Sequence, residues 1–152
     1  MPDSFSKIKR SLIMKSVKSR GNKSTELKFI KFLKKFQIKG WRRNYKLNGK
    51  PDFVFPKKRV VIFTDGCFWH GHNCRNTKPK DNAAYWEDKI QRNKTRDKII
   101  SETLEQAGWQ VIRVWECEIK NAILCEKLKT LVDEYENSGL SCQGRQELQN
   151  DN

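Results

Sequence analysis

The segment RVVIFTDGCFWHGHNC, residues 59–74, decides the fold of this chain because it joins a buried strand to a loop dense in metal-ligating side chains. Its apolar run VVIF predicts a strand in the interior of a sheet, and the Thr-Asp-Gly that follows predicts the end of that strand. The loop then holds both histidines of the chain and two of its five cysteines, beside two large aromatic rings.

Outside this segment the sequence predicts two more strands and three helices. Phe29, Leu33 and Phe36 recur at helical spacing after a capping Ser24 or Thr25, which predicts the first helix. The predicted order is helix, strand, strand, helix, strand, helix, which favours the α/β class with a mixed central sheet flanked by helices. The predicted helices cover about 24–36, 84–107 and 120–139, and the predicted strands lie within 50–55, 59–65 and 108–119.

The positive charge of the chain is concentrated in its first third. The formal net charge is +14; residues 1–50 hold 16 Lys and Arg against 2 Asp and Glu, and the remaining residues hold 16 of each class. Lysine and arginine displace condensed counterions from phosphates, so a field of a single sign attracts a polyanion. We therefore predict contact with nucleic acid; a basic surface that serves only solubility is the alternative.

Composition along the chain also predicts its organisation. We expect a basic N-terminal arm at 1–23, one folded domain at 24–138 and a polar tail at 139–152. The N-terminus has no apolar signal region, and no stretch approaches the length of a membrane span. With an odd number of cysteines, these features predict a cytoplasmic location without membrane contact and thiols that are free or metal-bound. We also expect a monomer.

The cysteine and histidine spacing of the loop predicts a structural zinc site. Cys67, His72 and Cys74 present two sulfurs and one imidazole from a short segment, and Zn²⁺ needs four such ligands in a tetrahedron. Cys117 is the favoured fourth ligand because it ends a strand that can lie beside the strand feeding the loop. The other candidates for the fourth ligand are Cys125 and Cys142. Buried reduced thiols are the alternative, although the loop is too polar for a core.

A second, magnesium-binding site is predicted where two strands end. Asp52 opens the first strand and Thr64-Asp65 closes the next, so in an antiparallel pair these positions can reach one Mg²⁺. His70, which the zinc site does not need, would then stand beside water activated for phosphodiester hydrolysis. The alternatives are a turn role for Asp52 after its proline and simple exposure of His70.

The long helix carries two polar residues, Asn93 and Asp97, on an otherwise mostly apolar face. A carboxylate on such a face needs either a hydrogen-bonded site or an ion pair with Lys or Arg from the basic segment. Trp86 begins the same face, which predicts a core role for it. Phe68 and Trp69 differ, because rings held out from a rigid polar loop can wedge between base pairs.

Five segments in order give the chain a specific resemblance to a known family: KPDFVF, RVVIFTDGCFWHGHNC, AAYWEDKI, RNKTRDK and GWQVIRVWECE. From about residue 7 to 135 it resembles the very short patch repair (Vsr) DNA mismatch endonucleases. The resemblance implies a fold like that of type II restriction endonucleases. It also implies nicking of the strand that holds the thymine of a T·G mismatch, on the 5′ side of that thymine, where 5-methylcytosine has deaminated.

Carried over by position, the resemblance implies the residues of the active site. Asp52 and the main-chain carbonyl of Thr64 match the Mg²⁺ ligands of the family. His70 matches the histidine that acts on the attacking water, and Glu26 and Asp97 match further acidic residues. The zinc ligands match Cys67, His72, Cys74 and Cys117, and the intercalating rings match Phe68, Trp69 and Trp86, which replaces the core interpretation of Trp86.

One position departs from the family. Asp65 stands where the best-known members carry a second histidine, and no lysine of the general PD-(D/E)xK nuclease motif follows it. We expect Asp65 to belong to the site, either strengthening metal binding or raising the pKa of a neighbouring carboxylate. The resemblance also implies double-stranded DNA with a T·G mismatch as substrate, MutL-type repair proteins as partners, and a bacterial, nucleoid-associated location.

The leading hypothesis is therefore a Mg²⁺-dependent nicking endonuclease with a structural zinc. A restriction-like nuclease that cuts both strands of a matched site is the second. A zinc-stabilised DNA-binding module without catalysis is the third.

Overall fold

The computed structural model describes residues 6–16, 25–74, 81–119 and 123–128. These ranges contain four helices and three strands. In order they are α1 (Lys7–Ser16), α2 (Glu26–Lys35), β1 (Phe53–Phe55), β2 (Val60–Asp65), α3 (Ala83–Gln106), β3 (Gln110–Trp115) and α4 (Ile123–Lys127). Apart from α1, which the sequence pattern did not predict, this is the predicted order of elements.

The sheet is mixed, as predicted, with β2 in the centre. β1 runs antiparallel to β2 with Phe53 opposite Ile62, and β3 runs parallel to β2 with Thr64 opposite Val114. A parallel pair needs a long crossover connection, and α3 supplies it between β2 and β3. The α/β class is therefore confirmed in the described residues, whereas likeness to the restriction-endonuclease fold stays a prediction.

Side chains alternate between the two faces of the sheet and create two apolar clusters. Phe53, Ile62 and Val114 lie on one face, in a cluster with residues of α2 and α4. Val54, Val61 and Phe63 lie on the other face with Leu104 of α3. Because α3 covers this second face, the odd-numbered residues of β2 and β3, including Asp65 at the end of β2, point toward α3.

The two ends of the chain are described only in part. α1 lies within the expected basic arm, and the described part of the predicted last helix is α4, followed by Leu128. The expected tail at 139–152 lies outside the described residues, so the predicted domain boundaries stay predictions. No described helix is long and apolar enough to cross a membrane.

Candidate active site

A cleft of about 1000 Å³ opens at the end of β2 and gathers all six predicted catalytic residues. One wall comes from the start of α2 and the segment before β1, and the other comes from the middle of α3. The predicted residues that line it are Glu26, Asp52, Thr64, Asp65, Trp69, His70 and Asp97. The tertiary structure thus brings together side chains from four separate segments of the sequence.

Asp52 reaches across from the start of β1 to the end of β2. Its Oδ2 accepts hydrogen bonds from the main-chain N–H of Thr64 at 2.8 Å and from the Thr64 hydroxyl at 3.1 Å. Burial raises the pKa of Asp52 from 3.8 to about 6, and the negative charges of Glu26 and Asp65 add to that rise, while both hydrogen bonds oppose it. Asp52 therefore lines the cleft close to two other carboxylates. A role in the turn after Pro51 does not by itself account for this position.

His70 and Asp97 form a hydrogen-bonded pair. Nδ1 of His70 donates to Oδ2 of Asp97, and Nε2 of the same ring lies 3.8 Å from Oδ1 of Asp65. Burial alone would raise the pKa of Asp97, but the hydrogen bond from His70 and the charges of His70, Arg113 and Arg96 hold it below its usual range. Of the two interpretations of Asp97, the hydrogen-bonded site matches the structure; the nearby arginines come from β3 and α3, not from the basic N-terminal third.

Glu26 is buried at the beginning of α2 and pairs with Arg43. Arg43 is placed there because the preceding residue, Arg42, forms a main-chain bridge with Val54 beside β1, with N–O distances of 2.8 and 2.9 Å. The Arg43 guanidinium also lies over the ring of Phe53 at 5.9 Å. This ion pair balances one of the carboxylate charges that surround Asp52.

The four predicted zinc ligands lie together on the far side of the loop. One ligand atom from each of Cys67, His72, Cys74 and Cys117 lies within 4.8 Å of the others, and Nδ1 of His72 is 3.5 Å from Sγ of Cys117. The imidazole of His72 stacks on the ring of Trp115 with centroids 4.4 Å apart. The cluster has the donor atoms and the compactness of a structural metal site.

Burial raises the pKa of both thiols at the base of this cluster. For Cys117 the pKa rises to about 12, with the hydrogen bonds and charges of Cys67 and Cys74 adding to the effect of burial, and the pKa of Cys67 is also raised. The raised pKa values mean that the thiolate forms are unfavourable here without a nearby positive charge. A metal ion would supply that charge, so the site suits a metal ion.

Of the two other candidates for the fourth ligand, Cys125 does not join the cluster. Cys125 is disulfide-bonded, whereas Cys67, Cys74 and Cys117 form no disulfide. The expectation that every thiol is free or metal-bound is therefore wrong at Cys125. Cys142 lies outside the described residues.

The loop between the two sites is tightly wound against α3. The N–H of His72 donates to the carbonyl of Cys67 at 2.9 Å, and Gly71 has a positive φ of 67°. A Cβ at Gly71 would overlap the side chains of Ile90 and Lys94 on α3, so only glycine allows this approach. The two histidines on either side of it are thereby directed to different sites.

The three rings predicted to intercalate contact one another beside the cleft. The centroids of Phe68 and Trp69 are 5.0 Å apart, those of Phe68 and Trp86 5.5 Å, and those of Trp69 and Trp86 6.0 Å. All three residues are only partly buried, and Tyr85 packs on the outer side of Trp86 at 5.1 Å. Within the described residues the buried Nε1 of Trp86 has no hydrogen-bond partner, which is unusual for a core tryptophan.

The second polar residue on the α3 face, Asn93, supports this ring cluster. Its side-chain amide donates to the main-chain carbonyl of Trp69 at 2.8 Å. The hydrogen bond fixes the loop backbone between Trp69 and His70, so the rings and the histidine that is predicted to be catalytic are held by the same helix.

Comparison with known proteins identifies the family. The family model for the DNA mismatch endonuclease Vsr matches residues 2–76. The type II nicking enzyme V.NmeAIP of Neisseria meningitidis is 44% identical over 142 residues, which cover 91% of this chain and 99% of that protein. The chain belongs to the Vsr family. The type II nicking enzyme V.XorIIP of Xanthomonas oryzae is 36% identical over 135 residues, covering 88% of this chain and 98% of that protein.

A further relative in the Vsr family is the DNA mismatch endonuclease Vsr of Escherichia coli K12. It is 45% identical over 75 residues, which cover 49% of this chain and 48% of that protein. Membership of the Vsr family confirms the resemblance drawn from the five sequence segments and identifies the chain as a DNA endonuclease.

Two arginines of this Vsr-family site were missed by the sequence reasoning. Arg43 pairs with Glu26, and Arg113 pairs with Asp65. A signal for Arg113 was present, because it is the one charged residue inside the predicted strand segment VIRVW. Its alternation with Ile112 and Val114 places it on the α3 face, where a charge needs a partner.

Proposed function

We propose that this Vsr-family chain nicks one strand of duplex DNA on the 5′ side of the thymine in a T·G mismatch. Such mismatches arise from deamination of 5-methylcytosine, and the nick would initiate very short patch repair. The observation that carries the proposal is that a hydrogen-bonded His70–Asp97 pair lines the same cleft as Asp52 and as Trp69 of the ring cluster. The residues proposed to hydrolyse the phosphodiester thus lie next to the aromatic rings proposed to unstack the bases.

The roles of the catalytic residues follow from the hydrogen bond between His70 and Asp97. Because Nδ1 of His70 carries the proton that Asp97 accepts, Nε2 of the neutral ring is free to accept a proton. His70 then acts as general base toward the water that attacks the phosphorus atom. Asp97 orients the imidazole and stabilises the imidazolium that forms, as an acidic residue does beside other catalytic histidines.

The residues around Asp52 fit a divalent cation. Its carboxylate lies near the negative charges of Glu26 and Asp65, which raise its pKa, and a cation would relieve that repulsion. Asp52 and the main-chain carbonyl of Thr64 would hold Mg²⁺, in keeping with its preference for oxygen ligands. When bound, Mg²⁺ supplies Lewis-acid polarisation of the phosphate and lowers the pKa of water.

The Cys₃His cluster fits a structural zinc. Three thiols and an imidazole within 4.8 Å of one another are a donor set of the kind that closed tetrahedral zinc sites use. Its position between the end of β3 and loop residues 66–74 would fix the loop that carries His70 and the rings. Zinc here supports the geometry of the site and takes no part in the hydrolysis.

DNA would bind at the cleft through the charged residues that line it and through the cluster of aromatic rings beside it. Lys50, Lys89 and Arg96 line the cleft together with the catalytic residues, and phosphates are neutralised by such groups. Phe68, Trp69 and Trp86 would separate and enter the base stack. Unstacking costs a few kcal/mol per step, and the cost is lowest at a mismatched pair, which provides selection for T·G.

A second candidate function is nicking at a specific sequence in matched DNA. The names of the Neisseria and Xanthomonas relatives describe type II nicking enzymes, whereas the name of the E. coli relative describes a mismatch endonuclease. The names of the Neisseria and Xanthomonas relatives favour single-strand over double-strand cleavage, which counts against a restriction-like enzyme. The assembled catalytic residues count against a DNA-binding module without activity.

The deciding experiment is cleavage of a panel of duplexes with each strand labelled separately. The panel contains T·G, the matched T·A and C·G pairs at the same position, and the T·G pair in several flanking sequences, each with Mg²⁺ and with EDTA. We expect a nick only in the thymine strand, only at T·G and only with Mg²⁺. Cleavage of a matched duplex at equal rate favours the second candidate, and cleavage of both strands contradicts nicking.

A further inference from the structure

Arg113 donates three hydrogen bonds to residues around His70 and Asp97. Its Nη1 donates to Oδ2 of Asp65 at 2.6 Å, its Nη2 to the main-chain carbonyl of Asp97 at 3.2 Å, and its Nε to the hydroxyl of Ser101 at 3.2 Å. The guanidinium also lies over the ring of Phe63 at 4.5 Å. The side chain is only 18% exposed, so its position is set by these contacts and not by solvent.

The sheet register explains why Arg113 can reach both carboxylates. Arg113 is paired with Phe63 in the parallel ladder, so it points to the same face as Phe63 and Asp65. That face is covered by α3, and Asp97 and Ser101 lie one turn apart on this helix. Arg113 therefore connects β2, β3 and α3 at one point beside His70.

The charges in this corner require such a cation. The side chains of Asp65 and Asp97 are 5% and 14% exposed, and one approaches each nitrogen of the His70 ring. Two buried carboxylates beside one imidazole repel each other unless a cation balances them. The planar, permanently charged guanidinium holds both groups in fixed directions, which a flexible ammonium does less well.

We propose that Arg113 is a positioning residue that, together with Asp65, takes the place of the family's second histidine. By engaging Oδ2 of Asp65 it keeps this carboxylate from closing on Nε2 of His70, which stays 3.8 Å away and free to accept a proton. By bonding to the main chain of Asp97 it fixes the residue that orients the ring. The effect on DNA cleavage rests on the function proposed above, whereas the effect on His70 does not.

A metal ion held by Asp65, His70 and Asp97 is the competing interpretation. One ligand atom from each lies within 4.8 Å of the others. Arg113 already supplies the positive charge that such an ion would bring, and it does so by binding Asp65 directly. The two interpretations differ in what removal of the guanidinium does to His70.

The test uses the DNA-free full chain and the ¹⁵N resonances of its histidine rings at about pH 8, where an ordinary histidine is neutral. The chain has only His70 and His72, so His72 serves as an internal reference. In the wild type we expect Nδ1 of His70 to be protonated and Nε2 to be unprotonated. In Arg113→Gln we expect the Nε2 resonance to move toward that of a protonated, hydrogen-bonded nitrogen, because Asp65 is released.

The matched control is Arg59→Gln. Arg59 also stacks on a ring, that of Trp109 at 4.9 Å, and donates to the main-chain carbonyls of Ala107 and Gly108, just beyond the C-terminal end of α3. Its loss should lower the melting temperature without moving the His70 resonances. Arg113→Lys retains a cation beside Asp65 and should restore part of the wild-type His70 signal, even if Arg113→Gln folds poorly.

Cleavage kinetics complete the test. A misplaced catalytic group can cost about 100-fold in rate, so we expect kcat to fall about 100-fold in Arg113→Gln with KM unchanged. Unchanged His70 resonances in Arg113→Gln would overturn the proposal and favour a metal ion held by Asp65, His70 and Asp97. A rise in KM at constant kcat would also overturn it and would indicate that Arg113 binds a phosphate of the DNA. If the wild type fails to nick T·G DNA but the His70 resonance still moves, the proposed function fails and the positioning role stands.

Discussion

Nδ1 of His70 donates a hydrogen bond to the carboxylate of Asp97, 27 residues further along the chain. The loop that carries His70 and the helix that carries Asp97 are joined at the same place by the hydrogen bond from Asn93 to the carbonyl of Trp69. The pair of His70 and Asp97 therefore depends on the docking of the loop against α3.

Asp97→Asn should lower the rate of nicking by at least about 100-fold, because an amide can donate to Nδ1 and favour the ring form whose Nε2 carries the proton. Single-turnover cleavage of T·G DNA measures this effect, and substrate binding should be retained. Asp88→Asn on the same helix is the control, since Asp88 is exposed and forms an ion pair with Arg92 on the solvent face of α3. Equal rates for Asp97→Asn and wild type would remove Asp97 from the mechanism.

Asp52→Asn should stabilise the metal-free protein at neutral pH. The pKa of Asp52 in the folded chain, about 6, is above its ordinary value of 3.8, so its favourable contribution to stability is present below about pH 4 and is lost as pH rises through 6. The variant lacks the buried charge and should gain about 1–3 kcal/mol over wild type at pH 7.5, with the difference vanishing near pH 4. Thermal or urea unfolding in EDTA measures it.

The same pair of proteins tests the magnesium site. Added Mg²⁺ should stabilise the wild type at pH 7.5 but leave Asp52→Asn unchanged, because a ligand stabilises only the state that binds it. An identical response of both proteins to Mg²⁺ would place the ion elsewhere.

Phe68→Ala and Trp86→Ala should weaken binding to T·G DNA more than binding to matched DNA. Each ring that stacks on a base is worth about 1–3 kcal/mol, so the preference for the mismatch should fall by roughly tenfold or more per ring. Competition binding with EDTA present measures this preference. Trp109→Ala removes a half-buried tryptophan near the other end of α3 and should lower stability only. A mismatch preference that survives both ring substitutions would argue against intercalation.

Cys74→Ser should abolish stoichiometric zinc binding with little loss of packing, because Cys74 is the exposed member of the cluster. Zinc binding contributes folding free energy, so the melting temperature and the nicking rate should both fall. Metal content by elemental analysis and thermal unfolding measure the two effects. Cys125→Ser should keep its zinc, and a zinc-free Cys125→Ser protein would contradict the assignment of Cys117 as fourth ligand.

Local sequence patterns predicted most of the fold and the donor atoms of the site. The apolar run before Thr64 predicts the central strand because such a run is stable only when both faces of a sheet are covered. The spacing of Cys67, His72 and Cys74 predicts a local metal cluster, since a short loop can direct them to one point. Neither feature depends on distant parts of the chain.

Partners between distant segments were decided only by the tertiary structure. No spacing rule connects Arg113 with Asp65, or His70 with Asp97, because these contacts exist only once β3 lies parallel to β2 and α3 covers their common face. Sequence chemistry determines which groups can ionise, bind metal or stack on bases. Which of them share a buried corner, and hence which charges must balance, depends on packing across the sheet.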